Sequence, residues 1–164
     1  MSRERAQAII LEGRVRVNGI VQRSVAFAVP PAAALDIKDD TRYVGRGGLK
    51  LEHALAAFEW QIDGLRCLDV GASTGGFTDC LLRHGASSVA AVDVGYGHFA
   101  WKLRQDPRVA VFERTNFRTV DVQSLGAPFD LATIDVSFIS LAKVATPLRA
   151  ALVKGGKLVA LVKP

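Results

Sequence analysis

Two short runs of the sequence end on side chains that can move a proton. "FDLATIDVSFISL" (129–141) carries Asp135 where an apolar, strand-like run gives out, and "KLVALVKP" (157–164) carries Lys163 at the matching point of the next such run. If the runs are neighbouring parallel strands, Asp135 and Lys163 stand on one rim of a sheet. Lys50, in "GRGGLKLEHAL", is a second lysine that could fold back over that rim. Two lysines beside one aspartate suit a weakly acidic hydroxyl. Mutual repulsion and desolvation lower a lysine pKa, the neutral amine takes the proton, and the carboxylate orients it. Plainer readings exist: Asp135 or Ser137 could cap a helix, and lysines at strand ends or on helices are ordinarily solvated.

A second group of residues points to a ligand. In "CLDVGASTGGFTDCLL" (67–82) an apolar run breaks into the turn Gly71-Ala72-Ser73-Thr74-Gly75-Gly76 before a helix-like run. Glycine admits positive φ and close approach of a ligand to the backbone, so Gly71, Ser73, Thr74 and Gly75 are candidate cradle residues. The turn has no GKS or GKT ending, which argues against a nucleoside triphosphatase, and Ala72 and Ser73 break any clean GxGxxG. Asp93 lies 22 positions after Gly71, at the end of the next strand-like run. An acid there can accept the two ribose hydroxyls of an adenosine-containing ligand. NAD would add a pyrophosphate, which favours positive potential. S-adenosylmethionine adds an ammonium and a sulfonium, which Asp69 and Asp135 beside the turn would favour. The expected cofactor is therefore S-adenosylmethionine, whose sulfonium methyl would meet the activated oxygen in line. The plainer reading is that the glycines only make a tight strand-to-helix turn.

Other reactive types look structural. Cys67 and Cys80 sit in apolar runs and read as buried thiols. His53, His84 and His98 are scattered, so no metal site is expected.

The elements that must carry these residues follow from periodicity. Residues 4–12 look helical, 13–23 alternate around Asn18-Gly19 as a hairpin, and 25–37 read as a strand, a proline break and another strand. The polar stretch 38–43 marks a change of composition, which divides the chain into domains 1–43 and 44–164. Beyond a helix within 45–60, strand-like runs at 66–71, 88–94, 108–113, 129–135 and 157–162 alternate with helical runs at 75–84, 97–105, 117–124 and 140–152. That alternation predicts an α/β fold with a mostly parallel sheet, covered on both faces. A sheet of this kind usually continues past its fifth strand, so a truncation or a further tail is expected.

The chain has 164 residues and a formal charge of +5, with a pI of about 9.6, a mild bias toward polyanions such as RNA. No window approaches the ~18 continuous apolar residues of a membrane span, and no charged leader opens the sequence. The expectation is a soluble, cytoplasmic protein without stable membrane insertion.

Taken in order, "GRVRVNGIVQRSVAFAV", "YVGRGGLKLEHAL", "CLDVGASTGGFTDCLL", "AAVDVGYGH", "ERTNFR", "IDVSFISL" and "LVKP" closely resemble the TlyA family. Its members join a small ribosomal-protein-type RNA-binding domain to an FtsJ-like, Rossmann-like methyltransferase domain, and some carry the name haemolysin. The resemblance implies S-adenosylmethionine-dependent 2'-O-methylation of cytidine in ribosomal RNA, with ribosomal RNA or ribosomal subunits as partner. It implies that Lys50, Asp135 and Lys163 are three of a Lys-Asp-Lys-Glu catalytic set whose glutamate lies downstream. It places Gly75, Phe77, Asp93, Asn116 and Asp135 on cofactor-contacting positions. Phe77 stands where the FtsJ pattern has tryptophan, and Asn116 where it has aspartate. The first domain resembles only part of its counterpart, because a helix that normally precedes "SRERAQ" is not in the sequence. Arg3, Arg5, Arg14, Arg16 and Arg23, against Glu4 and Glu12, are the candidate RNA contacts. Three other classes compete. A nicotinamide-linked oxidoreductase would want the clean glycine fingerprint. A haemolysin-like protein would want an amphipathic or membrane-spanning segment. An RNA-binding protein without catalysis would not need the rim of Asp135 and Lys163.

Overall fold

Asn18 and Gly19 both take positive φ, 50° and 80°, the pair of left-handed residues that a two-residue hairpin turn demands. In a computed structural model of the chain, which describes residues 3–11, 13–37, 42–136 and 142–162, this turn joins β1 (Val15–Val17) to β2 (Ile20–Gln22). The two strands pair antiparallel with Val17 opposite Ile20. β3 (Leu35–Ile37) takes the other edge of β1, also antiparallel. The Asn18 side chain accepts the Ala34 N–H at 2.9 Å and fixes the approach to β3. A helix, α1 (Arg3–Leu11), precedes this small sheet. The strand expected at the start of 25–37 does not form. Both edges of β1 are already taken, so Val25, Phe27 and Val29 have no free ladder beside it and lie exposed in a loop.

These elements belong to the first of two compact units, Met1–Thr41; the second is Arg42–Pro164. The second unit is built on five parallel strands: β4 (Arg66–Val70), β5 (Ser88–Val92), β6 (Val109–Phe112), β7 (Phe129–Ile134) and β8 (Leu152–Ala160), in the order β6-β5-β4-β7-β8. Alternation along the strands feeds two cores. Cys67, Val89, Ala91 and Leu131 pack on one face with α2 (Gly47–Ala57), α3 (Gly76–Arg83) and Leu103 of the short α4 (Trp101–Arg104). Leu68, Val70, Ala90, Val92, Ala132 and Ile134 pack on the other with α5 (Ala142–Ala151) and a 3₁₀ turn at Val122–Leu125. Both cysteines are buried free thiols, and burial raises them to about 12 (Cys67) and about 11 (Cys80).

Three expected elements come out shorter or shifted. The helix expected over 97–105 is only Trp101–Arg104, because the preceding residues form a loop held from outside: Gly97 donates its N–H to Glu113 at 2.8 Å. The helix expected over 117–124 contracts to the 3₁₀ turn, which Asp121 caps and Gly126, at φ 89°, ends. β8 starts at Leu152 and not at 157. Its pairing runs Phe129 with Leu152 and then Leu131 with Lys157, and the extra residues bulge out around Gly155 at φ 82°.

Candidate functional site

From β4 the chain winds outward through β5 and β6, then returns to lay β7 on the other side of β4. A sheet that reverses in this way leaves a crevice beyond the carboxyl ends of the two strands at the reversal. A cleft of about 270 Å³ lies there. Its walls are mainly apolar, from Val70, Val92, Val94, Phe117 and Val136, and Ser73, Asp93, Asn116 and Asp135 bring polar groups into it.

The glycine turn closes one side. Gly71 sits at φ 85°, and a Cβ there would collide with the Asp135 carbonyl. The Gly71 N–H donates to Val92 O at 2.8 Å, and the Asp135 N–H donates to Val70 O at 3.1 Å, so the turn and the end of β7 run in backbone contact. Asp93 draws two loops together: it accepts the Ser73 N–H at 2.7 Å through one carboxylate oxygen and the Gly95 N–H at 2.6 Å through the other. Each oxygen of a carboxylate has two acceptor sites, so capacity remains for hydroxyls in the cleft.

The far side is laced by a second set of contacts. The Thr115 N–H donates to Asp93 O at 2.9 Å and the Arg114 N–H to Gly95 O at 3.0 Å. The Arg114 guanidinium lies 4.2 Å from the centre of the Tyr96 ring. Glu113 pairs with Arg104, which holds its carboxyl below the usual range. Asn116 stands at the cleft and accepts the Arg118 N–H at 3.1 Å. Thr115, Phe117 and Arg118 also line the cleft and were not singled out from sequence. The available signal was their position after β6, on the same carboxyl rim as the other loops.

Gly71, Ser73, Asp93, Asn116 and Asp135 thus share one cleft. The other sequence candidates lie elsewhere. Gly75, at φ 93°, packs against Phe99 and Leu103. Thr74 lies against Gly45. Phe77 is buried in the core, facing Gly47 of α2, because the first turn of α3 directs it into the space between the helices. Lys50 is exposed on α2 and does not line the cleft. Lys163 and Ser137 lie outside the described residues. The adjacency that motivated Lys163 is present: Ile134 pairs with Ala160, and the Leu161 N–H donates to Ile134 O at 2.8 Å. Asp69 departs from the expectation that it faces a cation in the cleft. It is 1% exposed and turned into the sheet–helix interior, where Thr78 and Thr133 hold it. His98 is exposed and does not line the cleft, although its ring lies near Gly95 in the loop that follows Asp93, and among the described residues no group of three or more His, Cys, Asp or Glu could hold a metal.

In the first unit, Arg3 and Arg23 are exposed, with the Arg23 guanidinium over Gly13. Arg14 and Arg16 are half-buried. The Arg5 side chain lies outside the described residues.

The model of the FtsJ-like methyltransferase family matches residues 43–164. The chain belongs to that family. The FtsJ-like match covers nearly all of the second unit, cleft included. Over 165 residues the chain is 47% identical to the Mycobacterium tuberculosis protein named 16S/23S rRNA (cytidine-2'-O)-methyltransferase TlyA, covering 99% of this chain and 62% of that protein. A solved structure from Streptococcus thermophilus, described as a hemolysin, is 44% identical with a TM-score of 0.77, covering 99% of this chain and 60% of that one. An S-adenosylmethionine-dependent methyltransferase from Mesorhizobium loti is 25% identical with a TM-score of 0.54, over 66% of this chain and 50% of that one. This FtsJ-like chain therefore spans about three fifths of the length of the first two. The TlyA resemblance read from the motifs extends over nearly the whole sequence.

Proposed function

We propose that this FtsJ-like chain is the greater part of an enzyme that methylates the 2'-hydroxyl of cytidine in ribosomal RNA, with S-adenosylmethionine as methyl donor and residues 1–43 as part of an RNA-binding domain. The observation that carries the reading is the meeting of Gly71, Asp93 and Asp135 on one cleft at the reversal point of the sheet. The 47% identity to a protein named for this reaction supports it.

The residues present fit the cofactor. Apolar walls suit an adenine, the Asp93 carboxylate suits a ribose diol, and Asp135 gives the cleft a second negative group for a cationic ligand. When bound, S-adenosylmethionine supplies an electrophilic methyl group. The chain's own residues do the rest. The glycine turn and the 93–98 and 113–118 loops shape the cleft and limit water. Asp135 orients the amine of Lys163, which takes the 2'-hydroxyl proton, and Lys50 assists from α2. The arginines of the first unit hold RNA phosphates, in the cytoplasm, on ribosomal RNA or ribosomal subunits. The family match and the identity to a protein named for methyl transfer to ribosomal RNA favour this reading over a haemolytic role.

Two measurements test the reading together. Calorimetric titration should show binding of S-adenosylhomocysteine and none of NAD. Mass spectrometry of ribosomal RNA treated with the full-length protein should show new ribose methylation on cytidine. Selective NAD binding, or no added ribose methyl, would sink it.

A further inference from the structure

The glycine turn is clasped from beneath by a group that never reaches the cleft. Asp69 lies on β4 two residues before Gly71 and is buried. One carboxylate oxygen accepts the Thr78 hydroxyl at 2.7 Å, and the other accepts the Thr133 hydroxyl at 3.1 Å. Thr78 is the third residue of α3, so the first bond closes a loop that contains the whole turn 71–76. Thr133 is the residue paired with Asp69 across the reversal point, two before Asp135, so the second bond ties the same strand end to the strand that delivers Asp135. All three polar residues are at most 1% exposed. A buried carboxylate is a costly way to fill space, and Cys67, two residues earlier on the same face of the strand, packs in an apolar core there.

We propose that Asp69, through Thr78 and Thr133, is a positioning residue that sets the spacing between the glycine turn and Asp135, and hence the width of the cofactor cleft. The clasp does not touch cofactor or substrate. It acts through Gly71, whose backbone already runs against the Asp135 carbonyl, where small movements cannot be absorbed. Without the clasp the first turn of α3 and the end of β4 can part, and the Ser73 N–H leaves Asp93. The Thr133 hydroxyl also lies 3.4 Å from Leu68 O, so it can donate there when the neighbouring group is itself a donor. The clasp therefore tolerates Asn at 69, with its amide donating to Thr133, but not an apolar residue.

This inference rests on the proposed cofactor site, and its test separates the two. Amide hydrogen exchange of residues 71–76 and the dissociation constant for S-adenosylhomocysteine are measured in the wild type, Thr78→Val, Thr78→Ser, Asp69→Asn and Cys80→Ala. Cys80 is a buried core residue of the same helix and serves as the stability control. Thr78→Val should speed exchange in the turn and weaken ligand binding, each about tenfold, the scale of one lost charge-assisted hydrogen bond. Thr78→Ser and Asp69→Asn should stay within about twofold of wild type, and Cys80→Ala should lower Tm without either effect. Turn exchange unchanged in Thr78→Val overturns the proposal. So does a Cys80→Ala variant that loosens the turn equally. If the wild type binds no S-adenosylhomocysteine while turn exchange still responds to Thr78→Val, the cofactor reading fails and the clasp stands.

Discussion

Asp69 and Asp93 are two carboxylates at the ends of neighbouring parallel strands, and their surroundings give them different tasks. Asp93 is half-exposed, faces the cleft and receives two backbone N–H groups. Asp69 is sealed inside, and burial raises its pKa from 3.8 to about 6, against the opposing effect of the Thr78 and Thr133 hydroxyls. Asp135 adds to the rise, and no positive charge acts on it among the causes of the shift. A carboxyl with a raised folded pKa binds its proton more tightly in the folded chain than in the unfolded one. Between about pH 4 and pH 6 the folded state therefore holds more protons, and this residue's contribution to stability falls as pH rises, levelling off above pH 6. A rise from 3.8 to about 6 corresponds to roughly 3 kcal/mol. Asp69→Asn should remove that pH dependence and be more stable than wild type at pH 7.5, with the difference shrinking toward pH 4. Urea unfolding at steps from pH 4 to pH 7.5 measures it. A wild-type stability that rises through this window relative to Asp69→Asn would contradict the assignment.

The element that makes the cleft is the turn between β4 and α3, and its backbone leaves little choice of residue at 71. Gly71 is held at φ 85°, and the Asp135 carbonyl occupies the place of a side chain. Gly71→Ala meets both obstacles: the left-handed conformation costs a non-glycine residue ~1–2 kcal/mol, and the collision is with backbone that β7 holds in place. The variant should lose at least about 2 kcal/mol by denaturant unfolding and bind S-adenosylhomocysteine more weakly. Native stability and affinity in Gly71→Ala would show that the turn can relax. This turn was legible in the sequence, because an apolar run that stops at a glycine-rich stretch before a helical run has few other meanings. The strands were legible for a similar reason: a run such as Val89–Val92 is buried on both faces and reads as a continuous apolar stretch, and in Cys67–Val70 only Asp69 interrupts one. The segments that came out differently answer to distant partners. Residues 97–100 answer to Glu113 and not to their own helical spacing, and Val25–Val29 lacks a free strand edge. The cleft shows the same division. Asp93 was placed by its distance from Gly71 along the chain. The inward turn of Asp69 depends on Thr78 and Thr133, nine and 64 residues away, a pairing that only strand order creates.

At the scale of the whole molecule, the cleft and the basic segment belong to different compact units, which makes their contributions separable. Every cleft residue lies in the second unit, as do both cores around its sheet. Thr41 is a suitable place to divide the chain, because the next residues are built into the second unit. Tyr43 is buried over Gly48, the Arg83 guanidinium lies 5.4 Å from its ring centre, and the Val44 N–H donates to Asp79 at 2.8 Å. Removing residues 1–41 from the full-length protein should therefore leave S-adenosylhomocysteine affinity within about twofold, since no contact in the cleft is touched. RNA affinity should fall, and fall unevenly with salt. Arg3, Arg5, Arg14, Arg16 and Arg23 are all removed, and each that rests on a phosphate contributes roughly 0.7–0.9 to the slope of log affinity against log salt. The slope should flatten by up to about 3.5–4.5 if all five act, and by less where the half-buried Arg14 and Arg16 stay committed to the fold. Filter binding of ribosomal RNA fragments across a salt series, with the intact and shortened proteins side by side, reads both quantities. Equal slopes would move the RNA anchor out of the first unit and onto the rim of the cleft, where Arg118 lines the wall and Arg114 stacks on Tyr96.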